Sequence, residues 1–241
     1  MKKIRNISII GAGAMGAAYA AMFSDAGEFS VSFVARGERC KRLGEGSLMV
    51  NGKQVAIPVI HPDEVTEPAH LILVALKHHH LPEALQDIKS LVGDDTIILS
   101  VMNGLESEEI IGSVCGMEKI VYATAVGIDA IREGNRFTYT SPGKIIFGDG
   151  PRSLGGTRLE RLKEALNRAA IPNEVPPDIM RMMWWKFMIN VGINQASAVL
   201  RAPYGIFQTS PDAKALMRSL MPRLTISMTI KTIHFSYFCH F

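Results

Sequence analysis

A glycine-rich segment near the N-terminus, GAGAMG at residues 11–16, constrains the fold of this chain more than any other part of its sequence. The apolar run Ile4 to Ile10 precedes it and predicts a buried parallel strand, and the run Ala17 to Phe23 predicts a helix. Between a strand and a helix, glycines spaced G-x-G-x-x-G allow a tight turn, close approach of a pyrophosphate and close packing of the helix. We therefore predict a dinucleotide-binding loop here, with a chance glycine turn as the alternative.

The composition excludes several classes of function. A net charge of +3 is small for a nucleic-acid-binding protein, and no basic face or RNA-binding signature accompanies it. No uninterrupted apolar segment is long enough to span a membrane, and the apolar run after the N-terminal methionine and lysines is too short for a signal peptide. Cys40, Cys115 and Cys239 are odd in number and far apart, which is typical of free thiols in a reducing compartment. We therefore expect a cytoplasmic chain that binds neither nucleic acid nor a membrane.

The end of the second predicted strand, Ser30 to Ala35, decides which dinucleotide the loop would hold. Folds that prefer NAD place an acidic residue there to bind the ribose 2′-hydroxyl, whereas an arginine accommodates the 2′-phosphate of NADP. This chain has Arg36 at that point, and further basic residues follow, so the sequence favours NADP. Glu38 is the one nearby acid in the sequence that would oppose this choice, and a solvated basic loop is the plain alternative.

Two later strands end in polar residues, at the edge of the sheet where such folds bind ligands. The run His70 to Leu76 leads to Lys77, and the run Thr96 to Val101 leads to Asn103. Asn103 suits a nicotinamide or a substrate, although an asparagine before glycine is also common in turns. Three histidines follow at 78–80; adjacent side chains of an extended segment point to opposite faces, so we expect no metal site there.

Turn signals predict how the rest of the chain is organised. Asn51-Gly52, between the apolar runs 48–50 and 55–60, predicts a hairpin outside the main sheet. Residues 137–140 and 144–147 are predicted as antiparallel strands, so that the sheet ends mixed, and prolines at 172, 176 and 177 mark a domain boundary. We therefore predict an α/β protein with a Rossmann-type, mostly parallel sheet in residues 1–176 and an all-helical second domain in residues 177–241.

A helix that begins after Asp178 carries the second candidate site. Lys186, Asn190 and Asn194 are spaced by four residues and so share one helix face, within a segment that is otherwise mostly apolar or small. Polar groups on such a helix must find partners, and a buried lysine is suited to acid–base chemistry. We therefore predict a functional polar line here, against the alternative of an ordinary solvent-facing stripe.

Five segments, in this order, resemble the ketopantoate reductase (2-dehydropantoate 2-reductase) family: GAGAMG at 11–16, FVAR at 33–36, LVALK at 73–77, VMNGLES at 101–107 and WWKFMINVGINQ at 184–195. The resemblance implies an NADPH-dependent enzyme with an N-terminal Rossmann domain, a C-terminal helical domain and an active site in the cleft between them. It implies Lys186 as the general acid, with Asn190, Asn194 and Asn103 at the substrate. The cofactor-binding residues that it implies are Gly11, Ala12, Gly13, Ala14, Met15, Gly16, Arg36, Lys77 and Asn103.

The same resemblance implies an activity, the reduction of 2-dehydropantoate to pantoate in pantothenate biosynthesis. The expected partner is a small-molecule 2-keto acid, and a homodimer is left open. A 6-phosphogluconate-type hydroxyacid dehydrogenase is one alternative, since its cofactor fold and lysine-bearing helix are similar. A non-catalytic NADP-binding module that senses redox state is the other.

The resemblance stops near Pro222. The last residues, TISMTIKTIHFSYFCHF at 225–241, are rich in β-branched and aromatic residues and contain no glutamate. Members of the family continue through several more helices and supply a serine and a glutamate to the substrate. We therefore expect the helical domain to be truncated, and this chain to bind NADPH but reduce ketopantoate poorly.

Overall fold

The computed structural model describes residues 3–46, 48–151 and 156–221. The chain packs as two compact units that divide after Met183. These units are groups of residues that pack together, and they do not define where a folding domain ends. The domain boundary after residue 176 therefore stays a prediction. The segment from Pro222 onward, on which the expectation of a truncated and impaired chain depends, lies outside the described residues.

The first unit alternates strands and helices, and the long helix α6 continues into the second unit. The strands are β1 (Asn6–Ile10), β2 (Ser30–Val34), β3 (Leu48–Val50), β4 (Lys53–Val55), β5 (Val59–Ile60), β6 (Leu71–Val74), β7 (Ile97–Ser100), β8 (Ile120–Ile128), β9 (Ile131–Glu133), β10 (Arg136–Thr138), β11 (Pro142–Gly148) and β12 (Asn173–Glu174). The helices are α1 (Ala14–Asp25), α2 (Gly37–Gly44), α3 (Leu81–Ser90), α4 (Ser107–Cys115), α5 (Arg158–Arg168), α6 (Ile179–Leu200), α7 (Ile206–Thr209) and α8 (Pro211–Leu220).

The main sheet has the strand order β12-β11-β8-β7-β6-β1-β2-β5. The six neighbouring strands β8-β7-β6-β1-β2-β5 all run parallel, whereas β11 runs antiparallel to β8. Both faces of this sheet are covered: in β6, Leu71 and Leu73 pack into one apolar cluster and Ile72 and Val74 into another. A strand buried on both faces needs a continuous apolar run rather than an alternating one. The prediction of a mostly parallel Rossmann-type sheet that ends mixed is confirmed.

A second sheet, with the order β4-β3-β10-β9, stands apart from the first. The hairpin at Asn51-Gly52 is confirmed, since both residues have positive φ and β3 pairs antiparallel with β4. The single strand predicted over residues 55–60 is wrong: it breaks before Pro58, and β5 pairs with β2 of the main sheet. Of the two predicted antiparallel strands, residues 144–147 lie in β11 and run antiparallel to β8 in the main sheet, as predicted. The placement of residues 137–140 in that sheet is wrong, because β10 joins β3 and β9 in the small sheet.

The second unit is helical in its described part. The backbone N–H of Arg181 donates to Oδ1 of Asp178 at 2.9 Å, which confirms the predicted start of α6. Further along α6, buried residues pack with α7 and α8 in a separate apolar cluster of Ile189, Ile193, Ala196, Phe207, Ala213 and Met217. None of the helices in the described ranges combines the length and the apolar character needed to cross a membrane.

Candidate functional site

The predicted nucleotide-binding residues of the first unit follow the carboxyl ends of four adjacent strands. In the order β7-β6-β1-β2, these ends lead to Asn103, to Lys77, to the glycine loop at 11–16 and to Arg36. Strands β1, β6 and β7 end at the same height in the sheet, since Val74 pairs in register with both Ile10 and Ser100. Adjacent strands are about 5 Å apart, so these residues are distributed along one edge, as an extended dinucleotide requires.

The glycine loop has the shape that a pyrophosphate needs. Gly11 has a φ of +110°, and a Cβ built on it would lie 2.5 Å from the carbonyl oxygen of Ala75. A Cβ on Gly16 would lie 1.9 Å from the carbonyl oxygen of Gly11, so α1 packs directly against the loop. A Cβ on Gly13, by contrast, would meet nothing within 4 Å. The loop is therefore tight where it turns and open at the start of α1, whose first N–H groups have no acceptor within the helix.

Arg132 lies next to this loop, which the sequence did not indicate. It belongs to β9 of the small sheet, and its Nη1 donates to the carbonyl oxygen of Ala12 at 3.4 Å. Its Nε donates to the carbonyl oxygen of Gly134 at 2.8 Å, and its guanidinium lies over the ring of Phe137. The structure thus places a cation beside the region where a pyrophosphate would bind. Arg132 and Ala12 are 120 positions apart in the sequence, so no local signal indicates this contact.

Arg36 is exposed at the end of β2, where it is held by two carboxylates. Its Nη1 and Nη2 donate to the two carboxylate oxygens of Asp63, at 3.0 Å and 2.7 Å, and its Nε donates to Asp87. The identification of Glu38 as the nearby opposing acid is wrong, since Glu38 pairs with Lys41 one turn along α2. Contact with Arg36 lowers the pKa of Asp63, so its carboxylate stays ionised at neutral pH.

A cleft of about 400 Å³ opens beside Arg36, within the size range of small-molecule sites. Its lining contains two arginines and two carboxylates, Arg36, Arg39, Glu83 and Asp87, together with Gly11 and Ala12 of the glycine loop. Within the part of the chain that the structure describes, Arg39 makes no ion pair. A nucleotide whose phosphates lie at the glycine loop would reach these cations with its ribose, so the residues present fit a dinucleotide.

Lys77 and Asn103 are exposed at the ends of β6 and β7. Residues 78–80 form a short 3₁₀ turn directly after Lys77, so the expectation of an extended histidine segment is wrong. The rings of His79 and His80 lie 4.1 Å apart, centre to centre. Among the residues that the structure describes, no three His, Cys, Asp or Glu side chains are placed to hold a metal ion.

A buried carboxyl group, that of Glu108, follows the turn that contains Asn103. Glu108, only 1% exposed, accepts a hydrogen bond of 2.8 Å from the Ser107 hydroxyl. The Ser107 oxygen in turn is 2.8 Å from Ser100 Oγ, which accepts from the N–H of Met102. This chain of hydrogen bonds fixes the backbone on both sides of Asn103. Burial raises the pKa of Glu108 to about 7, because the charged form loses its hydration.

The raised pKa of Glu108 predicts a pH-dependent stability. A folded-state pKa above the unfolded value of 4.5 gives stability that is present below pH 4.5 and is lost as the pH rises through 7. Glu108→Gln has no such loss, so its Tm should exceed that of the parent by about 10 °C more at pH 8 than at pH 4.5. Thermal unfolding of both chains across this range measures the difference, with exposed Glu67→Gln as the control. A Tm difference that does not change with pH would contradict the prediction.

The second unit carries the other three predicted residues along α6. Lys186 and Asn190 are half-buried, whereas Asn194 is exposed and its Oδ1 accepts a hydrogen bond from the hydroxyl of Tyr204. Ile189 and Ile193, each next to one of the asparagines, are buried in the apolar cluster of this unit. The polar line therefore follows a helix face different from the one that packs on α7 and α8. The contact of Asn194 with Tyr204 was not predicted.

Proteins named as 2-dehydropantoate 2-reductases align with most of this chain. A 2-dehydropantoate 2-reductase of Aquifex aeolicus is 26% identical over 220 residues, which are 90% of this chain and 70% of that protein. One of Pyrococcus horikoshii is 29% identical over 208 residues, which are 83% of this chain and 65% of that protein. These relatives are oxidoreductases, which supports the same broad class for this chain.

Solved structures share the fold. A 2-dehydropantoate 2-reductase of Geobacter metallireducens is similar with a TM-score of 0.77 and 28% identity, over 90% of this chain and 72% of that one. D-mandelate dehydrogenase, in a ternary structure with NADH and anilino(oxo)acetate, is similar with a TM-score of 0.76 and 25% identity, over 88% of this chain and 70% of that one. The NADH in the D-mandelate dehydrogenase structure indicates a nicotinamide cofactor for this fold.

Family models match both parts of the chain. The model described as ketopantoate reductase PanE/ApbA matches residues 7–152, which is more than half of the chain and includes the whole strand edge from Asn103 to Arg36. The model of the C-terminal part of the same family matches residues 178–223, which include Lys186, Asn190 and Asn194. The chain therefore belongs to the ketopantoate reductase PanE/ApbA family.

Proposed function

We propose that this chain reduces 2-dehydropantoate to pantoate with NADPH. The observation that carries the proposal is the order of residues along the sheet edge, where an amide, a lysine, a glycine loop and an arginine follow adjacent strands. This order matches the nicotinamide, pyrophosphate and 2′-phosphate of an extended dinucleotide. A bound nicotinamide supplies the hydride, and the remaining steps fall to the chain's own side chains.

The proposed chemistry uses the polar line of α6. Reduction of a ketone places negative charge on its oxygen, and Lys186 is the proposed donor of the proton that neutralises it. Asn190 and Asn194 are proposed to orient the keto acid through hydrogen bonds from their amides. In the first unit, Lys77 and Asn103 are proposed to hold the nicotinamide end, with Asn103 also at the substrate. The homodimer and the domain boundary after residue 176 remain predictions.

A substrate panel tests this proposal. The chain is assayed with NADPH and with NADH on 2-dehydropantoate and on other 2-keto acids. In the oxidative direction it is assayed with NADP+ and with NAD+ on 6-phosphogluconate. We expect the highest kcat/KM for 2-dehydropantoate with NADPH. Faster turnover of 6-phosphogluconate would contradict the substrate, and faster turnover with NADH would contradict the cofactor. Nucleotide binding without turnover of any substrate would favour the redox-sensing module.

A further inference from the structure

The guanidinium of Arg36 has little hydrogen-bonding capacity left for a phosphate. A guanidinium binds oxyanions bidentately through either of two edges, the pair Nη1 and Nη2 or the pair Nε and Nη2. Asp63 occupies the first edge with both of its oxygens, and Asp87 accepts from Nε on the second. A ribose 2′-phosphate can therefore bind Arg36 bidentately only after one carboxylate has moved away.

Asp63 is the carboxylate that can leave. Its side chain is 65% exposed and comes from the short turn Pro62–Glu64, whereas the Asp87 side chain, on α3, is only 13% exposed. A bidentate pair is stronger than most surface ion pairs, but water screens it and solvates the released carboxylate, so Asp63 is easier to displace than Asp87. Asp87 stays in contact with Nε and keeps the guanidinium in place at the end of β2.

A displaced Asp63 still acts on the nucleotide. Its carboxylate remains ionised and close to the Arg36 site, where it repels the charged 2′-phosphate of NADPH. The 2′-hydroxyl of NADH carries no charge, and a carboxylate in this part of such folds is the usual acceptor for that hydroxyl. Arg39 provides a second cation in the cleft, which Glu83 also lines, so binding of the phosphate is weakened rather than prevented.

We propose that Asp63 sets the cofactor selectivity of this chain by competing with the 2′-phosphate for Arg36, so that NADPH is preferred over NADH by less than Arg36 alone would allow. The inference deepens the proposed function and rests on its claim that a nicotinamide dinucleotide binds at this edge. It concerns the ratio of two affinities, so it is tested by binding and does not need turnover.

The test is a fluorescence titration of NADPH and NADH against four variants. Asp63→Asn is expected to raise the NADPH affinity about fivefold or more and to leave the NADH affinity within about twofold. Glu67→Gln, the same change of charge in the same segment, should alter neither. Arg36→Ala should weaken NADPH about tenfold or more, with little effect on NADH. In the double variant Arg36→Ala/Asp63→Asn, the gain from Asp63→Asn should fall to less than half.

The outcomes separate this inference from the proposed function. If both nucleotides bind but Asp63→Asn changes their affinity ratio no more than Glu67→Gln does, the inference alone is overturned. It is also overturned if the gain is the same with and without Arg36, because competition for the guanidinium would then be absent. If neither nucleotide binds the parent chain, the proposed function and the inference are both wrong.

Discussion

Lys186→Ala is expected to lower kcat for the reduction of 2-dehydropantoate by about a hundredfold or more. The charge on the substrate oxygen develops only as the hydride arrives, so a proton donor at that oxygen stabilises the transition state far more than the bound ketone. KM should therefore change much less than kcat, and the affinity for NADPH should not change. Steady-state kinetics and a nucleotide titration of the same variant measure the two effects separately.

Two control variants make this prediction specific. Lys163→Ala removes an exposed lysine from α5, in the other unit, and should leave kcat unchanged. Lys186→Arg keeps the positive charge but replaces a compact ammonium by a guanidinium that does not deprotonate, so it should recover little of the lost rate. Turnover of Lys186→Ala at the parental rate would rule out Lys186 as the general acid.

The sequence predicts the elements of this site well where the signal is local. The glycine loop needs only the strand before it and the helix after it, and the polar line of α6 needs only a spacing of four residues. Both features are fixed by backbone geometry within about 15 residues, which a pattern can describe. The helix and the loop are therefore found where the sequence places them.

Contacts across the fold are where sequence reasoning fails. Glu38 is the acid nearest to Arg36 in the sequence, only two residues away, but the guanidinium contacts Asp63 and Asp87 instead. Those partners lie 27 and 51 residues further along the chain and reach Arg36 through a 3₁₀ turn and through α3. Nothing in the local sequence records such an approach, so the competition at Arg36 is visible only in the structure.

The same limit explains the errors in strand pairing. A turn signal such as Gly134-Asn135 locates a hairpin, here between β9 and β10, but does not say which sheet the hairpin joins. The small sheet forms because β10 pairs with β3, which lies more than 80 residues earlier. The same small sheet brings Arg132 to the carbonyl of Ala12, so a strand assigned to the wrong sheet left this residue out of the predicted site.

Gly13→Ala and Gly16→Ala are expected to damage the chain in two different ways, although they make the same change three residues apart. Gly13 precedes α1 with φ near −80°, which alanine adopts without strain, and a Cβ there meets no protein atom within 4 Å. The added methyl instead occupies space that a pyrophosphate would need beside the N–H groups of α1. Gly13→Ala should therefore keep the parental Tm and weaken both NADPH and NADH about a hundredfold, as loss of hydrogen bonds to a charged group implies.

Gly16→Ala should act on the fold itself. Its Cβ would lie 1.9 Å from the carbonyl oxygen of Gly11, a backbone atom that cannot move without opening the turn between β1 and α1. Forcing α1 away from the sheet is expected to destabilise the chain by about 3 kcal/mol, which lowers Tm by about 10 °C. Thermal unfolding and nucleotide titration of both variants distinguish the two effects. Unchanged nucleotide affinity in Gly13→Ala would place the pyrophosphate elsewhere, and a parental Tm in Gly16→Ala would show that α1 does not depend on this close contact.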